Sequence, residues 1–365
     1  MNENHIQQIF KQYIDNFEML NDAEHDESFK WQVAKKFRPM MDAALNSSNE
    51  EFSSKLKEVR NSTYNLIDNY TQPFLGLVKF AEKNSQTSET VKEMFRKLFA
   101  NSNAGIEEKQ MAVSDFLKQS HELRDKYYID SYLYKDDMHS VTSYLFLYDP
   151  DNNYIFKSSH ALVFADCIEF YDDWGSGDSV KLDVYYRMCD WIASEIKKSP
   201  EILKTDASRF ANGWGVDPQT FATDKEKHIL VFDLIYCCST YGLFSGIDFS
   251  RLKAKEKQLI VEKSEKARKL FEELKLAQAN MQSLQEALAY LDMVFVAGAN
   301  IQHKKYGSGL ITNKDGNIIE VEFANGEKKK LGTSLLVANN IAELEVDEYP
   351  ENVEKYKEIL KKEST

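Results

Sequence analysis

A heptad pattern of apolar residues near the C-terminal end narrows the possible folds of this chain. Between residues 267 and 291, apolar side chains recur in alternating steps of three and four without interruption. This spacing places one apolar stripe along an α-helix and is typical of helices that pair with another helix. We therefore predict a long linker helix over residues 249–296, which pairs with its copy in a homodimer or folds back on the rest of the chain. The predicted dimer seam consists of Leu270, Leu274, Met281, Leu284, Leu288 and Leu291, with Ala267 and Ala277 at intervening positions.

Short segments of roughly alternating polarity follow this helix. The dipeptides Asp315-Gly316 and Asn325-Gly326 separate them, and both favour the positive φ angles that tight hairpins require. We predict a small β-barrel over residues 297–340, and after it an acidic tail helix over residues 341–365.

The barrel segment resembles the Tudor-like, or SH3-like, C-terminal domain of UvrD/PcrA-type helicases. The residues that carry the resemblance are His303, Lys304, Lys305, Tyr306, Gly307, Gly309, Val321, Phe323, Lys328, Lys329 and Lys330. The resemblance implies a module that binds protein or nucleic acid and performs no chemistry. We take the histidine, the tyrosine and the five lysines as a candidate binding patch. The three strand lysines have an alternative role, which is to protect a sheet edge against aggregation.

Charge and hydropathy limit the possible partners. The chain of 365 residues has 46 basic and 59 acidic side chains and a formal net charge of −13. Tracking phosphates over a wide surface needs a basic face, so we expect any contact with DNA to be local. There is no uninterrupted apolar stretch of about 18 residues and no N-terminal signal pattern, which predicts no membrane span and a cytoplasmic location.

Motifs for catalysis, metals and cofactors are missing from the sequence. There is no Gly-x-x-x-x-Gly-Lys-Ser/Thr loop for a nucleotide and no pair of histidines at metal-binding spacing. The four cysteines, Cys167, Cys189, Cys237 and Cys238, form no CxxC motif and are expected to be buried reduced thiols. We therefore predict no catalytic residue, no metal and no cofactor.

The first 248 residues have the pattern of a mainly helical body, so that the expected fold is mainly α with a small C-terminal β-barrel. Apolar residues recur at helical spacing in most of this region. Between Tyr144 and Phe156, aromatic and β-branched residues flank the turn Asp149–Asn153. This pattern of residues predicts a short β-hairpin within the body.

Part of the body, roughly residues 25–240, resembles the region that precedes the AAA+ motor of McrB-like restriction ATPases. The matching segments are Phe29–Phe37, Thr63–Asp68, Phe80–Glu82, Met94–Phe99 and Leu147–Lys157, in this order. The resemblance implies a region that recognises a target and holds no catalyst. The sequence departs from the family in having no nucleotide-binding loop, so a motor would belong to a separate protein.

Two further groups of residues suggest contacts in the body. Trp31, Trp191 and Trp214 are candidates for stacking on a base, or else for packing in the core. The acidic cluster of Asp166, Glu169, Asp172, Asp173, Asp178 and Asp183 is a candidate for magnesium binding, or else a solvated surface.

These observations favour a non-catalytic recognition or adaptor protein of bacterial genome or anti-phage defence that contacts protein, DNA or both. Its expected partner is a protein, such as a separate motor or nuclease subunit. The first alternative is an interaction scaffold associated with transcription or DNA repair. The second alternative is a cryptic metal-dependent nuclease built on the acidic cluster.

Overall fold

The computed structural model describes residues 1–64, 66–68, 70–211 and 217–344, together with Lys357. The chain divides into two compact units, Met1–Val261 and Glu262–Thr365. The first unit is helical, and the second contains a small antiparallel sheet after a long helix. The prediction of a mainly α fold with a small C-terminal β module is therefore confirmed.

The first unit is built from twelve helices among the described residues. They are α1 Glu3–Asp15, α2 Phe17–Leu20, α3 Phe29–Leu45, α4 Asn49–Ser62, α5 Pro73–Ala81, α6 Ser85–Ala100, α7 Ile106–Tyr128, α8 Met138–Tyr148, α9 Ser158–Cys167, α10 Leu182–Lys198, α11 Pro200–Ala211 and α12 His228–Thr240. Short 3-10 turns lie at Pro150–Asn152, Gly177–Ser179 and Pro218–Thr220.

Side-chain caps fix where several of these helices begin. The side chains of Asn2, Ser48 and Asn84 accept hydrogen bonds from backbone amides in the first turns of α1, α4 and α6. Asp137 and Ser140 form a reciprocal capping box at the start of α8. Each cap satisfies amides that have no partner within the helix, which contributes about 1 kcal/mol to helix stability.

The predicted β-hairpin is wrong. Tyr144 and Phe146 lie on α8, and the segment 153–157 is extended without a strand partner. Its amides are satisfied by side chains: Tyr154 N donates to Tyr186 Oη at 3.3 Å and Phe156 N donates to Thr142 Oγ1 at 3.0 Å. Because α8 is buried almost all round and capped at its start, packing overrides the strand propensity of its aromatic and β-branched residues.

Helix α13, Ala254–Val294, crosses the boundary between the two units. The strands that follow are β1 Asn300–His303, β2 Gly307–Asp315, β3 Ile318–Phe323, β4 Lys328–Gly332 and β5 Ala342–Leu344, with α14 Thr333–Ala338 before β5. They form one antiparallel sheet in the order β4-β3-β2-β1-β5. Gly316 and Gly326 have φ angles of 55° and 82° at the two predicted turns, as tight hairpins require.

The sheet extends beyond its predicted end. Strand β5 pairs with β1 and lies inside residues 341–365, where the sequence predicts a tail helix, so that prediction is wrong for Ala342–Leu344. Residues 345–356 and 358–365 of the predicted tail lie outside the described residues. The core of this unit brings α13 residues Ala287 and Leu291, together with Phe295 just after the helix, against the sheet.

Candidate functional site

The heptad seam of α13 is divided into an exposed part and a packed part. Leu270, Leu274 and Met281 are 65%, 55% and 62% exposed, and Leu288 is also exposed. Leu284 is half-buried, and Leu291 is buried in the core beneath the sheet. The assignment of Leu291 to a dimer contact is therefore wrong, because the sheet of its own chain already covers it.

The predicted patch on the C-terminal sheet separates into residues with different surroundings. His303 is buried, and its Nδ1 accepts hydrogen bonds from the amides of Lys305 and Tyr306. It therefore shapes the β1–β2 turn, and its assignment to an exposed contact is wrong. The ammonium groups of Lys305 and Lys329 each lie 5.4 Å from the centre of the Tyr306 ring, within the range of a cation–π contact.

Each lysine of strand β4 has a carboxylate partner. Lys328 pairs with Glu322 at 3.1 Å, and Lys330 pairs with Glu320 at 2.8 Å across the β3–β4 ladder. Lys329 pairs with Glu327 at 3.3 Å. Strand β4 is an edge of the sheet, so this arrangement fits edge protection better than a phosphate-binding strip. Among the described residues, Lys304 and Lys305 have no carboxylate within ion-pair distance.

The three tryptophans differ in position. Trp31 is fully buried, and the guanidinium of Arg209 stacks on its ring at 3.8 Å. Its assignment as a base-stacking residue is wrong, because both faces are enclosed by the protein. Trp191 is half-buried and packs against the core of the first unit, and Trp214 lies outside the described residues.

The four cysteines are buried thiols, and two members of the acidic cluster are paired with basic residues. All four cysteines are buried, which confirms that prediction, and burial raises the pKa of Cys167 to about 12. Asp166 pairs with Lys257, and Asp172 pairs with Arg187. Within the described ranges, the group of three or more His, Cys, Asp or Glu ligands that does converge is Glu27, Asp233 and Cys237.

An ammonium group already occupies that convergent position. Lys30 Nζ lies 2.6 Å from Glu27 Oε2 and donates a hydrogen bond to Asp233 Oδ1, and all three side chains are buried. Burial by itself would raise the pKa of Asp233, but the Lys30 and Arg209 cations hold it below its usual value. A lysine held in this way replaces a metal ion, so the group is a buried salt-bridge network.

The network continues to helices α1 and α11. Tyr13 donates a hydrogen bond to Asp233 Oδ2 at 2.5 Å, and Arg209 donates to Tyr13 Oη at 2.7 Å. Arg209 also donates to Asn21 Oδ1 and Ser28 Oγ at 2.6 and 2.8 Å. These contacts join five segments of the first unit, and no short motif of the sequence indicates them.

Glu27 and Lys30 of the network also line an open cleft of about 390 Å³ in the first unit. The residues around the cleft are His25, Asp26, Glu27, Phe29, Lys30, Tyr64, Leu66, Lys157, Phe232, Tyr236 and Tyr241. They come from the connection before α3 and the start of that helix, from the segments after α4 and before α9, and from α12 and the residue that follows it. Sequence reasoning missed this cleft because each segment contributes one to five residues without a local pattern.

Comparison of the chain with known protein families, with curated proteins and with solved structures finds no match. The resemblances to McrB-like and UvrD/PcrA-type proteins therefore stay predictions. Within the described ranges, none of the helices combines the length and the hydropathy that a membrane span requires. The function is inferred below from the exposed face of α13, the C-terminal sheet and the cleft.

Proposed function

We propose that this chain is a non-catalytic recognition and adaptor protein of bacterial genome or anti-phage defence, which forms a homodimer through α13. The observation that carries the proposal is the exposure of Leu270, Leu274 and Met281 at heptad positions of one helix. The defence context follows the resemblance of the body to the region before the motor of McrB-like ATPases. In this role, the dimer presents two copies of the body and of the sheet to a motor or nuclease partner.

The exposed face of α13 is suited to a second copy of the same helix. From Glu262 to Gln282, every residue of α13 is exposed, and the sheet that follows does not cover the apolar seam in this segment. Burying a leucine or methionine side chain contributes about 1.5–3 kcal/mol. Two identical helices supply matching apolar layers at Leu270, Leu274, Ala277 and Met281, because a heptad seam is complementary to itself.

The C-terminal sheet supports a second, smaller contact. The lysines of β4 are neutralised by glutamates, which favours a protein surface over a polyphosphate as their neighbour. Lys304 and Lys305 remain as cations for a local contact with an acidic peptide or a DNA backbone. The same charge balance favours the alternative role, a scaffold in which the sheet docks on a protein of the transcription or repair machinery.

Sedimentation velocity on the full chain tests the dimer. Leu274→Glu places a charge in the seam, while Leu276→Glu places the same charge on the same helix at an off-seam position that is 64% exposed. We expect the wild type and the Leu276→Glu variant to sediment as dimers at about 50 µM, and the Leu274→Glu variant to sediment as a monomer. A wild-type monomer at this concentration, or equal behaviour of the two variants, would contradict the proposal.

A further inference from the structure

One lysine of the cleft in the first unit, Lys157, differs in its surroundings from the paired Lys30. Lys157 is half-buried, and its ammonium lies 4.8 Å from the centre of the Tyr236 ring. No carboxylate among the described residues lies within ion-pair distance of it. Burial lowers the pKa of Lys157, and the nearby Lys30 cation lowers it further. An anionic ligand beside Lys157 would stabilise the charged form of the lysine, which burial disfavours.

The neighbouring imidazole adds no positive charge at neutral pH. His160 stacks on the ring of Tyr236, with a centroid distance of 5.1 Å and an interplanar angle of 6°. Burial, followed by the charge of Lys157, lowers the pKa of His160 to about 4. Lys30 is already held by Glu27 and Asp233. Of the two cleft lysines, Lys157 is therefore the one that remains for a ligand.

Two residues at the cleft have left-handed backbone conformations. Asp26 has φ 42° and Tyr64 has φ 49°, a region that residues other than glycine adopt at a cost of about 1–3 kcal/mol. The Asp26 carboxylate has no cation within ion-pair distance among the described residues. Tyr64 is 61% exposed, so its ring is not held there by burial. Strained residues at a cleft are typical of positions that a ligand contacts.

Aromatic rings also line the cleft. Phe29 and Tyr64 contact each other edge-to-face at 5.9 Å, and Tyr241 contacts His25 in the same way at 5.3 Å. Tyr236 of α12 is half-buried and also lines the cleft, whereas Phe232 is buried. A planar ligand can stack on such rings, and a volume of about 390 Å³ is within the range of small-molecule sites.

We propose that this cleft binds a small aromatic molecule that offers an anionic group to Lys157 and an N–H donor to Asp26. Nucleoside monophosphates and aromatic amino acids share this chemistry, since both combine a flat ring, an anion and an N–H group. The proposal goes beyond the adaptor role and does not depend on the dimer, because every residue of the cleft lies in the first unit.

Isothermal titration of the full chain distinguishes the two sources. One arm uses AMP, GMP, CMP and UMP, and the other uses tryptophan, tyrosine and phenylalanine. Guanosine and tryptamine serve as controls without the anionic group. We expect saturable binding below about 1 mM in at least one arm and at least tenfold weaker binding of the matching control. The absence of saturable binding in both arms, or equal binding of the control, would overturn the proposal.

Substitutions locate the binding to the cleft. Lys157→Met removes the cation, and Tyr64→Gly removes an exposed ring while keeping the left-handed backbone. Lys83→Met is the matched control, because Lys83 also lies over a tyrosine ring, Tyr128, at 4.5 Å but outside the cleft. We expect the first two changes to weaken the ligand found above about tenfold or more, and the control to bind like the wild type. Unchanged binding by Lys157→Met, or an equal loss with Lys83→Met, would contradict the assignment.

Discussion

Lys30 and Asp233 form a buried ion pair between helices α3 and α12, although they are 203 positions apart in the sequence. Glu27 adds a second carboxylate to the same ammonium. Isolated charges in a protein interior are costly, so each member of this network depends on the others. These mutual contacts explain why the first unit can enclose several charged residues. Two of them, Glu27 and Lys30, also line the cleft.

Removing the ammonium should destabilise the first unit strongly. In Lys30→Met, Asp233 and Glu27 keep their burial but lose their cation, and we expect the free energy of unfolding to fall by about 3–5 kcal/mol. Lys79→Met is the control, since Lys79 forms an exposed pair with Glu82 at 2.8 Å. Urea denaturation followed by circular dichroism measures both variants. An equally small effect of the two substitutions would show that the buried pair does not hold the core.

The pH dependence of stability should contain a contribution from Asp136. This residue is fully buried, and burial raises its pKa to about 6. The hydrogen bonds from Ser120, Ser140 and Tyr144 lower the pKa, but their effect is smaller than that of burial. Because the pKa is higher in the folded state, the folded chain binds a proton more tightly between about pH 4 and pH 6. This contribution to stability is therefore present below pH 4 and is lost as the pH rises through 6.

The variant Asp136→Asn isolates that contribution, because all other groups titrate alike in both proteins. We expect the wild type to lose about 3 kcal/mol relative to the variant between pH 4 and pH 7, as a shift of about two units implies. Urea denaturation at several pH values measures this difference. A difference that stays constant over the range would mean that Asp136 is not protonated in the folded chain.

Gly309 is a point of close packing in the C-terminal sheet. A Cβ added there would lie 2.6 Å from Val321 Cγ1 and 2.7 Å from Phe323 Cδ1. We expect Gly309→Ala to destabilise the second unit by about 1–3 kcal/mol, because strand β3 must move to admit the methyl group. Gly332→Ala is the control, since its nearest neighbour is Leu335 Cδ1 at 3.8 Å.

This packing is tested by measuring the hydrogen-exchange rates of peptides from β2 and β3 in the full chain. Faster exchange is expected in Gly309→Ala, and rates close to wild type are expected in Gly332→Ala. If Gly309→Ala exchanged at the wild-type rate, the close approach of β2 to the core side chains of β3 would be refuted.

Any affinity of the C-terminal sheet for DNA should depend weakly on salt. Lys304 and Lys305 are its patch lysines without a carboxylate partner among the described residues, and each phosphate contact contributes about 0.9 to the slope of log K against log salt. We expect a slope no steeper than about −2 and loss of retention in Lys304→Glu/Lys305→Glu. Lys330→Glu, whose native lysine pairs with Glu320, is the control. A slope of about −6 would require a wide basic face and would contradict this account.

The sequence predicted those elements whose formation depends on residues close together in the chain. The steps of three and four between residues 267 and 291 predicted α13, and two glycine dipeptides predicted the turns of the sheet. The hairpin prediction failed because the residues of α8 are buried on nearly every side, and a helix buried all round has no polar face to reveal its period. Periodicity also did not show that Leu291 packs under the sheet.

The candidate sites could be predicted only in part. The lysines of β4 were visible in the sequence, but their glutamate partners depend on the register of β3 and β4. The network around Lys30 and the cleft beside it arise from segments that meet only in the folded chain. A lysine such as Lys157 looks like any surface lysine until its neighbours are known.

Hydrogen exchange of α13 at two protein concentrations tests the central claim directly. Peptides from residues 262–282 report on a helix segment that is exposed in the single chain. If two copies pair along Leu270, Leu274 and Met281, protection of these peptides should increase at least tenfold between about 1 µM and 100 µM, and this increase should vanish in Leu274→Glu. Exchange that is independent of concentration in the wild type would contradict the pairing of α13 and with it the proposed dimeric adaptor.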